Sequence, residues 1–125
     1  LIGSMPAPSD DIKASRDGHL FFDRTKFNAD FAADLTTNRT DFMAASQVPA
    51  TTALFGGTVW AAAWHKKPTY AVVSTEDRAL SPDLQRWMYK RAGSKVTEIK
   101  ASHSVYISQP EAVAKVIEDA ASVIK

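Results

Sequence analysis

The back half of the sequence predicts an α/β fold, and three observations carry that prediction. "PTYAVVS" (68–74) is a nearly continuous run of β-branched and aromatic residues. A capped amphipathic stretch follows it, and "KVTEIK" (95–100) then supplies a second strand ahead of a final helix. Strand, helix, strand, helix in that order implies parallel strands joined by a right-handed crossover. A strand apolar without alternation is the kind that parallel sheets cover on both faces.

Ahead of this core the signals are weaker. Residues 1–19 read as an irregular lead-in, with prolines, small polar residues and no sustained periodicity. "LFF" (20–22) is at most a brief extended piece. From Thr25 the spacing turns helical, with Phe27, Phe31 and Leu35 on one face and Lys26, Asp30 and Asp34 on others. A second short helix over about 38–46 carries Phe42 and Met43 and ends at "SQVP", because proline disfavours helix in the residue before it. Residues 49–67 hold a glycine pair and two tryptophans, which suggests loops and a short helical turn. Trp60 and Trp64 read first as core or interface filler, since large aromatics mostly bury area.

The later elements carry their own punctuation. Ser81 then Pro82 is an N-cap followed by the first helical position. Leu84, Trp87, Met88 and Ala92 form the apolar stripe. Gly93 stands where a helix C-terminus wants positive φ. "ASHSVYI" reads as a loop, and Ser108-Gln-Pro-Glu111 matches a capping box opening the last helix. Val113, Val116, Ile117, Ala120 and Ile124 then mark its buried face.

Composition excludes several function classes. The chain of 125 residues, 45% hydrophobic, has the size and apolar content of one ordinary domain. Fifteen Lys and Arg against 14 Asp and Glu leave no basic field for nucleic acid or an anionic membrane. The absence of cysteine excludes disulfides, thiolate metal sites and a cysteine nucleophile. No apolar run approaches the roughly 20 residues of a membrane helix, and no signal peptide is visible; a cytoplasmic location is the expectation. His19, His65 and His103 lack the paired spacing of a metal site, so neither metal nor cofactor is implied.

In open α/β sheets, chemistry gathers beyond the C-terminal ends of the strands. Asp77 lies just past the first strand and His103 just past the second, so their side chains should rise on one rim. A carboxylate bonded to one ring nitrogen fixes the tautomer and stabilises the imidazolium formed when the other takes a proton. The alternative is local: His103 answers a loop carbonyl and Asp77 caps its own turn. Residue placement alone leaves both open.

The run "STEDRALSPDLQRWMYKRAGSKVTEIKASHSVYISQP" resembles the C-terminal part of an α/β-hydrolase, of the small esterase-like group with a modest lid. "GHLFFDRTKFNADFAADL" and "FMAASQVP" are similar to its lid helices. The resemblance covers nearly the whole chain and is tightest over 68–117. It implies a helical lid region at 1–67, a strand-helix-strand-helix core at 68–125, Asp77 as triad acid and His103 as general base. Phe42, Trp60, Trp64 and Tyr106 are candidates for substrate contact, and Arg78 and Tyr106 flank the pair.

One part of the family pattern is missing. The nucleophile of such enzymes lies on a Gly-x-Ser-x-Gly turn upstream of the lid, and none of the five glycines here frames a serine that way. Ser102 and Ser104 adjoin His103 without a strained elbow, while Ser74, Thr75 and Ser108 have strand-end or capping explanations. The opening "LIGSMPAPSDD", which starts at Leu1, fits the expectation of a lid plus C-terminal half, reached by proteolysis, truncation or gene splitting. Such a piece should need its N-terminal half, or pair with itself through the open edge of the strand at 68–74. Its substrate would be a small ester or amide. Two other readings stand beside this one: a hydroxynitrile-lyase-like member of the same fold, and a non-catalytic binding module lined by Phe27, Phe31, Phe42, Trp60 and Trp64.

Overall fold

A computed structural model describes residues 5–123. The N-terminal part is built on a small antiparallel sheet. Strands β1 (Ile12–Ala14) and β2 (His19–Phe22) pair in the register Ile12↔Phe22, Lys13↔Phe21 and Ala14↔Leu20. Two residues of β3 (Ala50–Thr51) add to the other edge of β2. The expected irregular lead-in is therefore a hairpin. Its turn closes at Asp17-Gly18, where Gly18 takes φ 82°, a conformation that a Cβ would strain.

Helix α1 (Phe27–Phe31) and helix α2 (Thr37–Ala45) pack against that sheet. Phe27, Ala32 and Ala44 are buried, with Phe22, Phe31, Leu35 and Met43 around them. Phe22 meets Phe27 and Phe31 edge-on at 5.7 and 5.4 Å, and Phe27 stacks on Phe31 at 4.7 Å. The first helix is one turn shorter than the Phe27–Phe31–Leu35 spacing predicts. The chain leaves it at Ala32, and Leu35 reaches the same cluster from the following turn.

Past helix α3 (Ala53–Gly56) and a 3₁₀ turn at Ala63–His65, the chain enters the parallel pair. Strand β4 (Tyr70–Ser74) runs beside β5 (Lys95–Ile99) from Tyr70↔Lys95 to Ser74↔Ile99. Between them lies helix α4 (Pro82–Ala92), whose ends follow the sequence signals. Ser81 Oγ accepts from the Leu84 amide at 3.4 Å, Pro82 opens the first turn, and Gly93 closes the helix at φ 66°. Arg86 clips α4 to β5 through two bonds to Glu98, at 2.7 and 2.9 Å. Helix α5 (Val105–Ser108) and helix α6 (Pro110–Ser122) complete the chain.

Four expectations need correction. "ASHSVYI" is not all loop, because Val105–Ser108 forms α5. Ser108 does not cap α6: its hydroxyl donates to Asp34 Oδ2 at 2.8 Å, and Gln109 takes the cap position without a side-chain bond. The expected buried face of α6 is open, with Ile117 64% exposed and Val113, Val116 and Ala120 half-buried; Ile124 lies outside the described residues. Strand β4, expected to be covered on both faces, is fully buried only at Val73 and Ser74, and its neighbour β5 is exposed except at Ile99. Among the described residues β4 pairs with β5 alone, so its other edge carries no strand. No helix among the described residues is long and apolar enough to cross a membrane.

Candidate functional site

The parallel register brings the ends of β4 and β5 to one rim, which Asp77 and His103 share. The turn after β4 is tied to the turn after β5 by backbone bonds, Thr75 N to Ile99 O at 2.9 Å and Glu76 N to Ala101 O at 3.1 Å. Within that frame His103 Nδ1 lies 2.7 Å from Asp77 Oδ2. The carboxylate is buried, its side chain only 3% exposed, while the imidazole keeps 34% of its surface open.

Asp77 is held from several sides. Its Oδ1 accepts from the amides of Ala79 and Leu80, each at 2.9 Å. Its Oδ2 accepts from Gln85 Nε2 at 2.8 Å as well as facing His103. Gln85 is itself buried and also donates to Leu80 O at 3.0 Å. A carboxylate surrounded by donors acts purely as an acceptor, so the hydrogen on His103 belongs on Nδ1. Nε2 makes no hydrogen bond among the described residues and is the nitrogen left to exchange a proton with something else. Tyr89, half-buried nearby, has its hydroxyl pushed up by burial and then by the negative charge of Asp77.

The imidazole is also gripped from the N-terminal part. Phe31 lies against it with ring centroids 4.5 Å apart. Asp34 accepts from the amide and hydroxyl of Ser102 on one side of His103 and from the Ser108 hydroxyl on the other. Ser104 Oγ donates to the Phe31 carbonyl at 3.2 Å. The hydroxyls of Ser102, Ser104 and Ser108 are thus all committed to N-terminal partners, and Ser74 is buried at the end of β4.

The aromatic candidates are scattered. Phe42 is 70% exposed and Trp60 94% exposed, so neither is core filler. Trp64 is half-buried against His65 and the Arg91 guanidinium, 5.1 Å from its ring. Tyr106 stands exposed on α5, and Arg78 turns to pair with Asp30. Among the described residues, Phe31 is the aromatic ring stacked on His103. It also borders an apolar groove of about 150 Å³ lined with Phe21, Phe22, Val48 and Phe55. Within the described residues no group of acidic or histidine side chains could hold a metal ion.

Residues 2–116 match the family described as alpha/beta hydrolase. The chain belongs to the α/β-hydrolase family. Its parallel strand pair with flanking helices is part of that fold. No curated protein matches the chain significantly.

Sequence reading located Asp77 and His103 but missed Gln85, Phe31 and Asp34 as their supports. Gln85 adjoins Leu84 in the apolar stripe of α4, and its buried amide is visible only once α4 lies under the Asp77 turn. Replacing it with alanine withdraws a charge-assisted bond and leaves the Leu80 carbonyl unanswered. Gln85→Ala should cost about 1.5–3 kcal/mol in urea unfolding; a loss under about 0.5 kcal/mol would contradict the bond's role.

Asp34 gives the site an acid limit. Burial pushes its carboxyl up, but the bonds from Ser102 and Ser108 outweigh that and hold it below the ordinary range. A carboxyl lowered in the folded state stabilises the fold above its unfolded value, near about 3.9, and that contribution fades as pH falls through the folded value. In urea titrations between about pH 2 and 4, wild type should lose stability more steeply than Asp34→Asn, which has nothing to protonate there. Equal slopes would contradict the assignment.

Proposed function

We propose that this chain carries the acid and base of a Ser-His-Asp triad of a carboxylic-ester hydrolase, with the attacking serine on polypeptide outside these 125 residues. The observation that carries the reading is the 2.7 Å contact between a buried, donor-saturated Asp77 and a half-open His103 on one strand rim. In this reading His103 Nε2 takes the serine proton as the hydroxyl attacks and returns it to the leaving group, while Asp77 holds the tautomer and stabilises the imidazolium. Family membership makes this chemistry the natural use of such a pair.

The nucleophile is placed elsewhere because none of the chain's glycines frames a serine as Gly-x-Ser-x-Gly. The serines closest to His103 also have their hydroxyls bonded to Asp34 and Phe31. Residues 1–67 act as the lid and 68–125 as core, in a cytoplasmic protein. The groove beside Phe31 suits the apolar part of a small ester. The unpaired edge of β4 is the place where an N-terminal half, or a second copy, adds its strand.

A fluorophosphonate probe and a p-nitrophenyl ester test the proposal on purified protein, with intact mass spectrometry identifying any companion polypeptide. The 125-residue chain should stay unlabelled and inactive. A companion, where present, should be labelled in a manner lost with His103→Ala. Ester turnover that persists with the inhibitor bound yet vanishes in His103→Ala would overturn the proposal.

A further inference from the structure

The two halves of the dyad are tied to one short stretch of chain, Asp30–Asp34, and these ties lie outside the dyad itself. Asp30 is in α1, with its side chain 11% exposed, and it pairs with the guanidinium of Arg78, the residue after Asp77. Four residues on, in the turn that follows α1, Asp34 accepts from Ser102, the residue before His103. Between these carboxylates, Phe31 sets its ring against His103 and its carbonyl against Ser104 Oγ. Ser102 Oγ also accepts from the Ser104 amide at 3.1 Å, which closes the His103 loop on itself.

We infer that Asp30–Asp34 is a splint that fixes the spacing and orientation of Asp77 relative to His103, with Asp30 and Asp34 as positioning residues. The inference rests on reading Asp77 and His103 as an acid–base pair. The chain leaves α1 at Ala32, and the contacts themselves show that Asp30 and Asp34 both face the core, one at Arg78 and the other at Ser102. Two carboxylates so placed grip two turns of the core from a third element, beyond the backbone bonds Thr75 N to Ile99 O and Glu76 N to Ala101 O that already tie those turns together. Without the splint, the loop Ala101–Ser104 keeps its link to β5 but loses two bonds to Asp34 and the stacking surface of Phe31, and α5 loses the bond from Ser108 to Asp34. The hydrogen bond between the dyad partners then rests on the backbone bonds between the two turns alone, and geometry at a site of this kind is felt at the level of an ångström.

The Arg78 loop shows the same design. Its carbonyl accepts from both the amide and the hydroxyl of Ser9, at 3.1 and 2.9 Å, so the residue is held by backbone as well as by charge. Asp30 is therefore the weaker arm to cut, and Asp34, with three donors, the stronger.

The test reads the dyad directly and needs no turnover. In proton NMR the Nδ1 hydrogen of His103 is followed for its exchange with water, on the full chain and its variants. Asp34→Asn should speed that exchange by at least about tenfold, as expected for losing bonds to a charged acceptor. Ser108→Ala, which removes a single bond and leaves the fold intact, should speed it to a lesser degree, and Arg78→Ala should act through the other arm. Lys115→Ala, on the exposed side of α6, should leave it unchanged. Urea unfolding of each variant separates a loosened dyad from a general loss of stability, since the splint predicts faster exchange at pH and temperature where every variant stays folded. Exchange unchanged in both Ser108→Ala and Arg78→Ala overturns the splint, whether or not Asp34→Asn folds. Ester turnover that persists with the inhibitor bound yet vanishes in His103→Ala would overturn the triad assignment instead and leave this exchange result standing.

Discussion

The buried carboxylate of Asp77 is the constraint on which the C-terminal half of this protein depends. Its two oxygens collect bonds from its own turn, from α4 through Gln85 and from the loop after β5 through His103. Each of those elements is independently fixed. Ser81 caps α4, and the parallel register Val73↔Glu98 and Ser74↔Ile99 sets the two turns side by side. A buried charge is tolerated only when its lone pairs are met, and here the means of meeting them is also what aims an imidazole. Stability and site geometry are therefore one set of contacts.

The same economy extends to the N-terminal part. Its aromatic cluster buries Phe27 and orients Phe31, whose ring then serves as a wall for His103. The serines around the imidazole are occupied as donors to Asp34 and to the Phe31 carbonyl, so their hydroxyls contribute to holding the loop rather than to reactivity. The exposed aromatics, Phe42 and Trp60 above all, stand apart from this arrangement.

Legibility in the sequence followed the range of the interactions involved. Strands β4 and β5 and helix α4 were readable because their signals are local: β-branched runs, Ser81-Pro82, and Gly93 just past the last turn. Asp77 and His103 were readable because strand order alone brings two strand ends to one rim. The β1–β2 hairpin was missed because strands of three and four residues are too short to show alternation, although Asp17-Gly18 was a usable turn signal. The Ser108 motif misled because its hydroxyl found a partner 74 residues away in sequence, beyond what any cap rule weighs. Gln85, Asp34 and the exposure of Trp60 were likewise set by tertiary contacts that leave no periodic trace.

The measurement that bears most directly on this account is the nitrogen-15 NMR spectrum of His103 in the intact chain at alkaline pH. The account expects the hydrogen on Nδ1, a bare Nε2, and loss of that preference in Asp77→Asn. A ring protonated on Nε2, or one whose tautomer ignores the Asp77 substitution, would contradict it.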